Sequence, residues 1–279
     1  MKSFIKYTMA TVVGIFLTMM LFTIISIISL AGMMATEGMS APIKEKSILR
    51  INLVGELTER SVFDPIAMLM GESETNVVLE DALLALKKAA RNDKIKGVYL
   101  EAAGLTATPA MAQELRQALV EFKKSGKWIV AYGDSYSKTD YYLSSVADSV
   151  LLNPEGVVDF SGMASQIMFF KDVLKKIGVN IQVFKVGTYK RAVELFICTE
   201  MSPANREQVT SYLSSIWANM LKDVSDSRGV EVEKLNALAD TLTMFSDPVN
   251  AVKGSLVDKL CYMDEVKAVL RERCGLSDD

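Results

Sequence analysis

The chain has 279 residues, enough for one large domain or two small ones with a membrane segment added. Its formal net charge of -3 gives no basic footprint for nucleic acid, and half of its residues are hydrophobic. It contains no histidine, which excludes a Ser-His-Asp triad, a Cys-His pair and a His-ligated metal.

No charged residue occurs between Lys6 and Glu37, and Met9 to Met34 is almost wholly apolar. That run exceeds the roughly 20 residues a membrane-spanning helix needs and the apolar core of about 7 to 15 residues in a cleavable signal peptide. Residues 1–36 therefore read as a cytoplasmic N-terminus and a retained anchor. Lys2 and Lys6 precede the run, so the N-terminus is expected to stay cytoplasmic and the remainder to be exported. Residues 37–47, mostly polar with Gly38 and Pro42, read as a tether, and residues 48–279 as the globular domain, mainly helical over 202–279.

The domain opens with alternating Leu49, Ile51 and Leu53 in Ile48 to Val54, a strand closing at Gly55. Leu57 to Thr75 carries little periodic signal, and its apolar residues suit a flap, an interface or a second membrane contact. Leu79 to Arg91 has apolar residues at helical spacing, Gly97 to Glu101 reads as a buried strand, and a helix is expected over Ala110 to Lys124. Strand Trp128 to Tyr132, helix Thr139 to Val146 and strand Ser149 to Leu152 follow. Helices alternating with short apolar strands imply an α/β domain with mainly parallel pairing. Further on, Ser202 is a good N-cap with Pro203 at the first helical position. Val209, Tyr212, Leu213, Ile216, Trp217, Met220, Leu221 and Val224 then build a wide apolar stripe that Gly229 ends, facing the core or another protomer. A short helix over Glu233 to Ala239 leads into Asp247 to Leu260. Cys198, Cys261 and Cys274 form no CxxC pair; free, buried thiols are expected, with a Cys261 to Cys274 bridge the alternative in an oxidising compartment.

The stretch VGTYKRAVELF, Val186 to Phe196, sets Lys190 at a strand-to-helix junction. Ile181, Val183 and Val186 alternate as in a strand, Gly187 marks the break, and Ala192, Val193, Leu195 and Phe196 follow the lysine. An ammonium held against such apolar surface is disfavoured in its charged form and can act as a base; the other reading of a lysine at an element boundary is a solvated surface charge. Without histidine, the nucleophilic option left is a serine/lysine pair. Ser135, Ser137 and Ser161 lie in loops after strands, where catalytic residues tend to be placed. Asp134 and Asp140 read as solvated caps, and no metal or cofactor is assigned.

VGTYKRAVELF followed by TEMSPANREQ resembles the lysine segment of the long, tandem-domain form of signal peptide peptidase A, a membrane-bound serine protease. Asp93 to Leu100, Gly126 to Gly156 and Ala251 to Leu260 resemble further pieces of the same family. The resemblance implies a Clp protease/crotonase fold of repeated ββα units, with Lys190 as general base. It also implies a nucleophilic serine from a second domain, no cofactor, signal peptides or other apolar peptides as substrate, and a ring-like tetramer on the periplasmic side of the inner membrane. In the family's catalytic half the strand matching Gly97 to Glu101 runs into a glycine-rich turn that bears the serine. Here Glu101 to Ala110, EAAGLTATPA, has no serine, and the chain stops at Asp279, about where the second domain would begin. Arg191 and Leu195 replace the family's usual serine and proline, and Arg191 either depresses the lysine pKa by like-charge repulsion or points to solvent. The expectation is the lysine half of a composite Ser/Lys peptidase, a homo-oligomer that needs a serine-bearing domain. The alternatives are a non-catalytic, membrane-tethered assembly or peptide-binding domain that oligomerises through Ser202 to Val224, or a truncated, inactive remnant.

Overall fold

The computed structural model describes residues 1–37, 42–60, 76–184, 187, 189–190, 192–241 and 243–276. The proposed flap within 57–75 lies largely outside them, as do Val186 and Arg191. Two units separate, Met1–Lys44 and Glu45–Asp279.

The first unit is one helix, α1 (Lys2–Glu37). Its segment Ser3–Ser29, 27 residues with a mean hydropathy of 2.5, is long and apolar enough to cross a membrane. At 1.5 Å per residue it spans about 40 Å, against about 30 Å of hydrocarbon. The hydroxyls of Thr8, Thr11, Thr18 and Thr23 each donate to the carbonyl four residues back, at 2.8–3.0 Å. Hydrocarbon demands such internal pairing, since it offers no solvent partner.

In the second unit β1 (Ser47–Leu53), β2 (Leu57–Thr58), β3 (Val77–Val78) and α2 (Leu79–Arg91) precede β4 (Ile95–Ala102), α3 (Pro109–Lys123), β5 (Trp128–Gly133), α4 (Lys138–Ser144) and β6 (Ser149–Leu152). After these come α5 (Lys171–Lys176), α6 (Glu194–Ile197), α7 (Pro203–Arg228), α8 (Val232–Ala239), α9 (Pro248–Lys253), β7 (Lys259–Leu260) and α10 (Met263–Arg273). The main sheet runs β1-β4-β5-β6-β7 with parallel pairing throughout, and β2 pairs with β3 in a small parallel sheet. The α/β expectation with parallel pairing holds, because each apolar run must be covered on both faces.

Alternation sorts the two faces. Leu53, Val98, Leu100, Ile129, Ala131, Val150 and Leu152 point into the main core beneath α2 and α3. Tyr99, Val130, Tyr132 and Leu151 point the other way, against Cys261 and Val266 of α10. Helix α7 starts and ends where its caps dictate: Ser202 Oγ accepts from Asn205 N at 3.2 Å, and Gly229 takes the left-handed conformation at φ +63°. Of its stripe, Tyr212 is exposed, Val209 is buried outside the main core, and Met220, Leu221 and Val224 join that core. The clamp there is Arg116 of α3, 3% exposed. Its guanidinium donates to Tyr142 O and to Ser145 Oγ, Asp223 O and Ser227 Oγ, and lies over the Tyr142 ring.

One expectation needs correction. Ile181 to Phe184 form no strand: the alternation there is real, but no described strand pairs with it and three of its four residues are exposed. The free-thiol expectation holds: Cys261 and Cys274 are free and buried, and Cys198 is free and half-buried.

Candidate active site

In a parallel α/β sheet, ligands gather outside the carboxyl ends of the strands. Here those ends form a cleft of about 370 Å³, lined by Glu101, Ala103, Gly104, Asp134, Ser135, Ser137 and Asp140, among others. Gly104, at φ +87°, turns the chain after β4 so that its own amide and that of Leu105 face the same way. Both amides are occupied. Asp140 Oδ2 accepts from Gly104 N at 3.0 Å, and Oδ1 from Leu105 N at 3.1 Å. Ser137 Oγ adds a third bond to Oδ2 at 2.8 Å while accepting from Asp140 N as the cap of α4.

Asp140 is therefore no solvated cap: it is wholly buried, and burial pushes its carboxyl above the ordinary aspartate range against the pull of those bonds. The carboxylate leaves neither of these two amides free for a ligand. No serine stands in the turn, as the sequence indicates.

The three loop serines fare differently. Ser137 is committed to Asp140, and Ser161 Oγ donates to Asp159 Oδ1 at 2.6 Å. Ser135 is exposed in the cleft. Asp134 accepts from Tyr132 Oη at 2.8 Å and from Asn153 Nδ2 at 2.9 Å; burial and this carboxylate raise the Tyr132 phenol to about 12.

Lys190 lies elsewhere. Phe160, wholly buried, is the last core residue before it; from 161 to 193 no described residue is buried. Tyr141, Phe160 and Trp217 hold that exit point, with ring centroids 5.4 and 5.5 Å apart. Gly187, at φ +99°, turns the chain three residues before Lys190, which is exposed. Among the described residues Lys190 stays exposed beside the run Ala192 to Phe196, does not line the cleft that holds Ser135 and Ser137, and shares no hydrogen bond with Ser135, Ser137 or Ser161.

What fixes the lysine segment is a group absent from the sequence reading. Glu194, four residues after Lys190, is 3% exposed. Its carboxylate accepts from Ser202 Oγ at 2.6 Å and from Asn205 Nδ2 at 3.0 Å, tying α6 to the first turn of α7. Ser202 was recognisable as a cap; the only signal for Glu194 was an acid in an apolar run. No group of three or more acids or cysteines suited to a metal occurs among the described residues.

Comparison with known proteins gives the same direction. Residues 121–277 match the model of Peptidase family S49. The chain is 36% identical over 207 residues to Protease 4 of Salmonella typhi, covering 71% of this chain and 33% of that protein. It is 28% identical over 237 residues to the chloroplastic serine protease SPPA of Arabidopsis thaliana, covering 85% of this chain and 34% of that protein. It thus spans about a third of the length of these relatives. A solved structure of a putative enoyl-CoA hydratase/isomerase from Acinetobacter baumannii matches 71% of this chain and 70% of its own, with 12% identity and a TM-score of 0.40. With the match running from the end of α3 through α10, the chain belongs to peptidase family S49.

Proposed function

We propose that this chain is the lysine-bearing part of a membrane-anchored serine peptidase that degrades signal peptides or similar apolar peptides. Lys190 is the general base, and the nucleophilic serine comes from another polypeptide segment. The observation that carries this reading is a division within the chain. The amide pair after β4 has no serine and is filled by Asp140, while Lys190 stands exposed on a stretch in which no described residue is buried. A base presented in this way suits a site completed from outside, and packing of that second surface would supply the desolvation a neutral amine needs. The neutral amine takes the serine proton during attack on the peptide carbonyl and later returns it to the leaving amine. Helix α1 anchors the chain, with the second unit on the exported, periplasmic side of the inner membrane. Neighbouring protomers in a ring complete the assembly.

The test is fluorophosphonate labelling of the purified chain in detergent, alone and after co-purification with a serine-bearing partner. Alone, it stays unlabelled; with the partner, the partner's serine labels, and Lys190→Ala lowers peptide hydrolysis by about 10²- to 10⁴-fold. Unchanged hydrolysis in the Lys190→Ala assembly rejects the proposal. A homo-oligomer with neither partner nor cleavage favours a peptide-binding scaffold instead.

A further inference from the structure

The strands of the main sheet are parallel, so their amino ends share one edge, and that edge carries a line of cations. Lys46 stands immediately before β1, Lys96 is the second residue of β4, and Lys127 stands immediately before β5. The register pairs Ser47 with Ile95 and Gly97 with Trp128, which sets the three lysines level on neighbouring strands; such strands lie about 4.8 Å apart. Arg273, the last residue of α10, continues the line over β6 by donating from Nη2 to Ser149 Oγ at 3.1 Å. The lysines likewise meet neutral oxygens: Lys46 Nζ donates to Gly275 O, Lys96 Nζ to Asp93 O at 3.0 Å, and Lys127 Nζ to Ala89 O and Asn92 O at 2.6 and 2.7 Å. Among the described residues none of the four is ion-paired with a carboxylate. Neighbouring acids are engaged by other cations, Glu45 by Lys94, Glu121 by Lys124 and Asp148 by Lys123, while Asp93 and Glu272 stand nearby. The line is close enough to be felt: burial raises the Cys274 thiol against the pull of both Lys46 and Lys96.

The opposite edge has the other sign, since Glu101, Asp134 and Asp140 line the cleft at the carboxyl ends. We propose that the amino edge of the sheet rests on an anionic phospholipid surface, with Lys46, Lys96, Lys127 and Arg273 against the lipid phosphates and the acidic carboxyl edge turned away. Four cations set in a line on four elements suit a surface of many phosphates better than one small anion. Each gains from a negative surface only within about a Debye length, about 8 Å at physiological salt, so a level row gains where a scattered one does not. Trp128 opens β5 beside Lys127, half-buried, and its indole covers Gly97, where a Cβ would lie 2.3 Å from the ring. Tryptophan next to basic residues is the composition of a membrane–water interface. The chain also enters β1 at this edge, so of the two edges it is the one joined to α1 by the shorter stretch of sequence, residues 38–46. The inference rests on the reading of α1 as a membrane anchor and adds to it an orientation of the second unit.

The experiment is energy transfer from tryptophan to a dansyl-labelled phospholipid, with the full chain in vesicles of phosphatidylcholine alone or mixed with phosphatidylglycerol. The chain has two tryptophans. Trp217→Phe leaves Trp128 as the donor, and Trp128→Phe leaves Trp217, which packs on Phe160 beyond the carboxyl ends. With phosphatidylglycerol, transfer from Trp128 exceeds transfer from Trp217. It falls to the level of phosphatidylcholine alone in 1 M salt, where the Debye length is about 3 Å, an arm that needs no charge variant. It falls equally in Lys96→Glu/Arg273→Glu at an unchanged melting temperature, while Lys175→Glu/Lys176→Glu, the same charge change made in α5, keeps it. Transfer from Trp128 that is equal in the two kinds of vesicle, that survives both salt and Lys96→Glu/Arg273→Glu, or that is lost to the same extent in the α5 variant overturns the inference. So does its loss to inorganic phosphate at constant ionic strength, which assigns the line to a small anion, or to a second copy of the chain as protein density in the vesicles is raised. Flotation keeps the anchor reading separate. A chain that floats with both kinds of vesicle but shows no gain at Trp128 refutes the docked edge alone, and one that floats only with phosphatidylglycerol refutes the anchor and supports the edge.

Discussion

A single carboxylate decides what the carboxyl end of this sheet can do. Asp140 completes two backbone amides and one hydroxyl in a fully buried position. Replacing it by asparagine turns one acceptor into a donor facing an N–H, so Asp140→Asn lowers stability by about 1–3 kcal/mol in denaturant titrations. Because burial raises its pKa in the folded state, the native chain binds more protons than the unfolded one above the ordinary aspartate value of 3.8. Stability contributed by this group is thus present below 3.8 and lost as pH rises through the raised value, and Asp140→Asn flattens that slope. None of this was legible in the sequence: Asp140 and its amide partners lie 35 and 36 residues apart, and only folding brings them together. Its reading as a solvated cap followed from the turn around it, where the cap is in fact Ser137. Thiols give a simpler check. Cys198 is half-buried and reacts with iodoacetamide first; Cys261, buried and with its pKa raised by burial, reacts only after unfolding.

Elements with local signals were readable, and those that depend on other surfaces were not. Ser202, Pro203 and Gly229 bound α7 as expected because caps act through neighbours in the chain. Ile181 to Phe184 carry a strand's alternation without a strand, because the period reports which side chains seek burial and not whether a pairing edge is at hand. Phe184 in that stretch is 96% exposed and Ile177, just before it at the end of α5, 66%, which an isolated folded chain has no reason to keep. Two predictions belong here. Arg116→Met removes a guanidinium shared by α3, α4 and α7 and leaves Asp223 without it, costing about 3 kcal/mol or more in thermal or denaturant unfolding. Glu194→Ala frees the lysine segment from α7, so hydrogen exchange accelerates over residues 192–198 while the sheet amides keep their protection.

At the scale of the molecule, the two units make different demands on solvent. Helix α1 is mostly apolar over Ser3–Ser29, whereas the second unit carries the whole sheet and its core. Residues 45–279 are therefore expected to fold without α1 and to melt at the temperature of the full chain in circular dichroism. The full chain partitions into the detergent phase and the shortened one into the aqueous phase. The parallel sheet was readable at this scale because each strand is an apolar run set off by an amphipathic helix; the separation of the lysine from the carboxyl-edge cleft was not, since no spacing in the sequence encodes it.

Helix α7 also has a mechanical consequence. One end is bolted to the body by Arg116 and by the Arg228–Asp258 pair, and the other holds Glu194 through Ser202 and Asn205. From Ser202 to Asp223 the rod measures about 30 Å at 1.5 Å per residue. A tilt of a few degrees at the bolted end would move the far end by an ångström or more, so the position of Glu194 depends on a joint about 30 Å away along the rod.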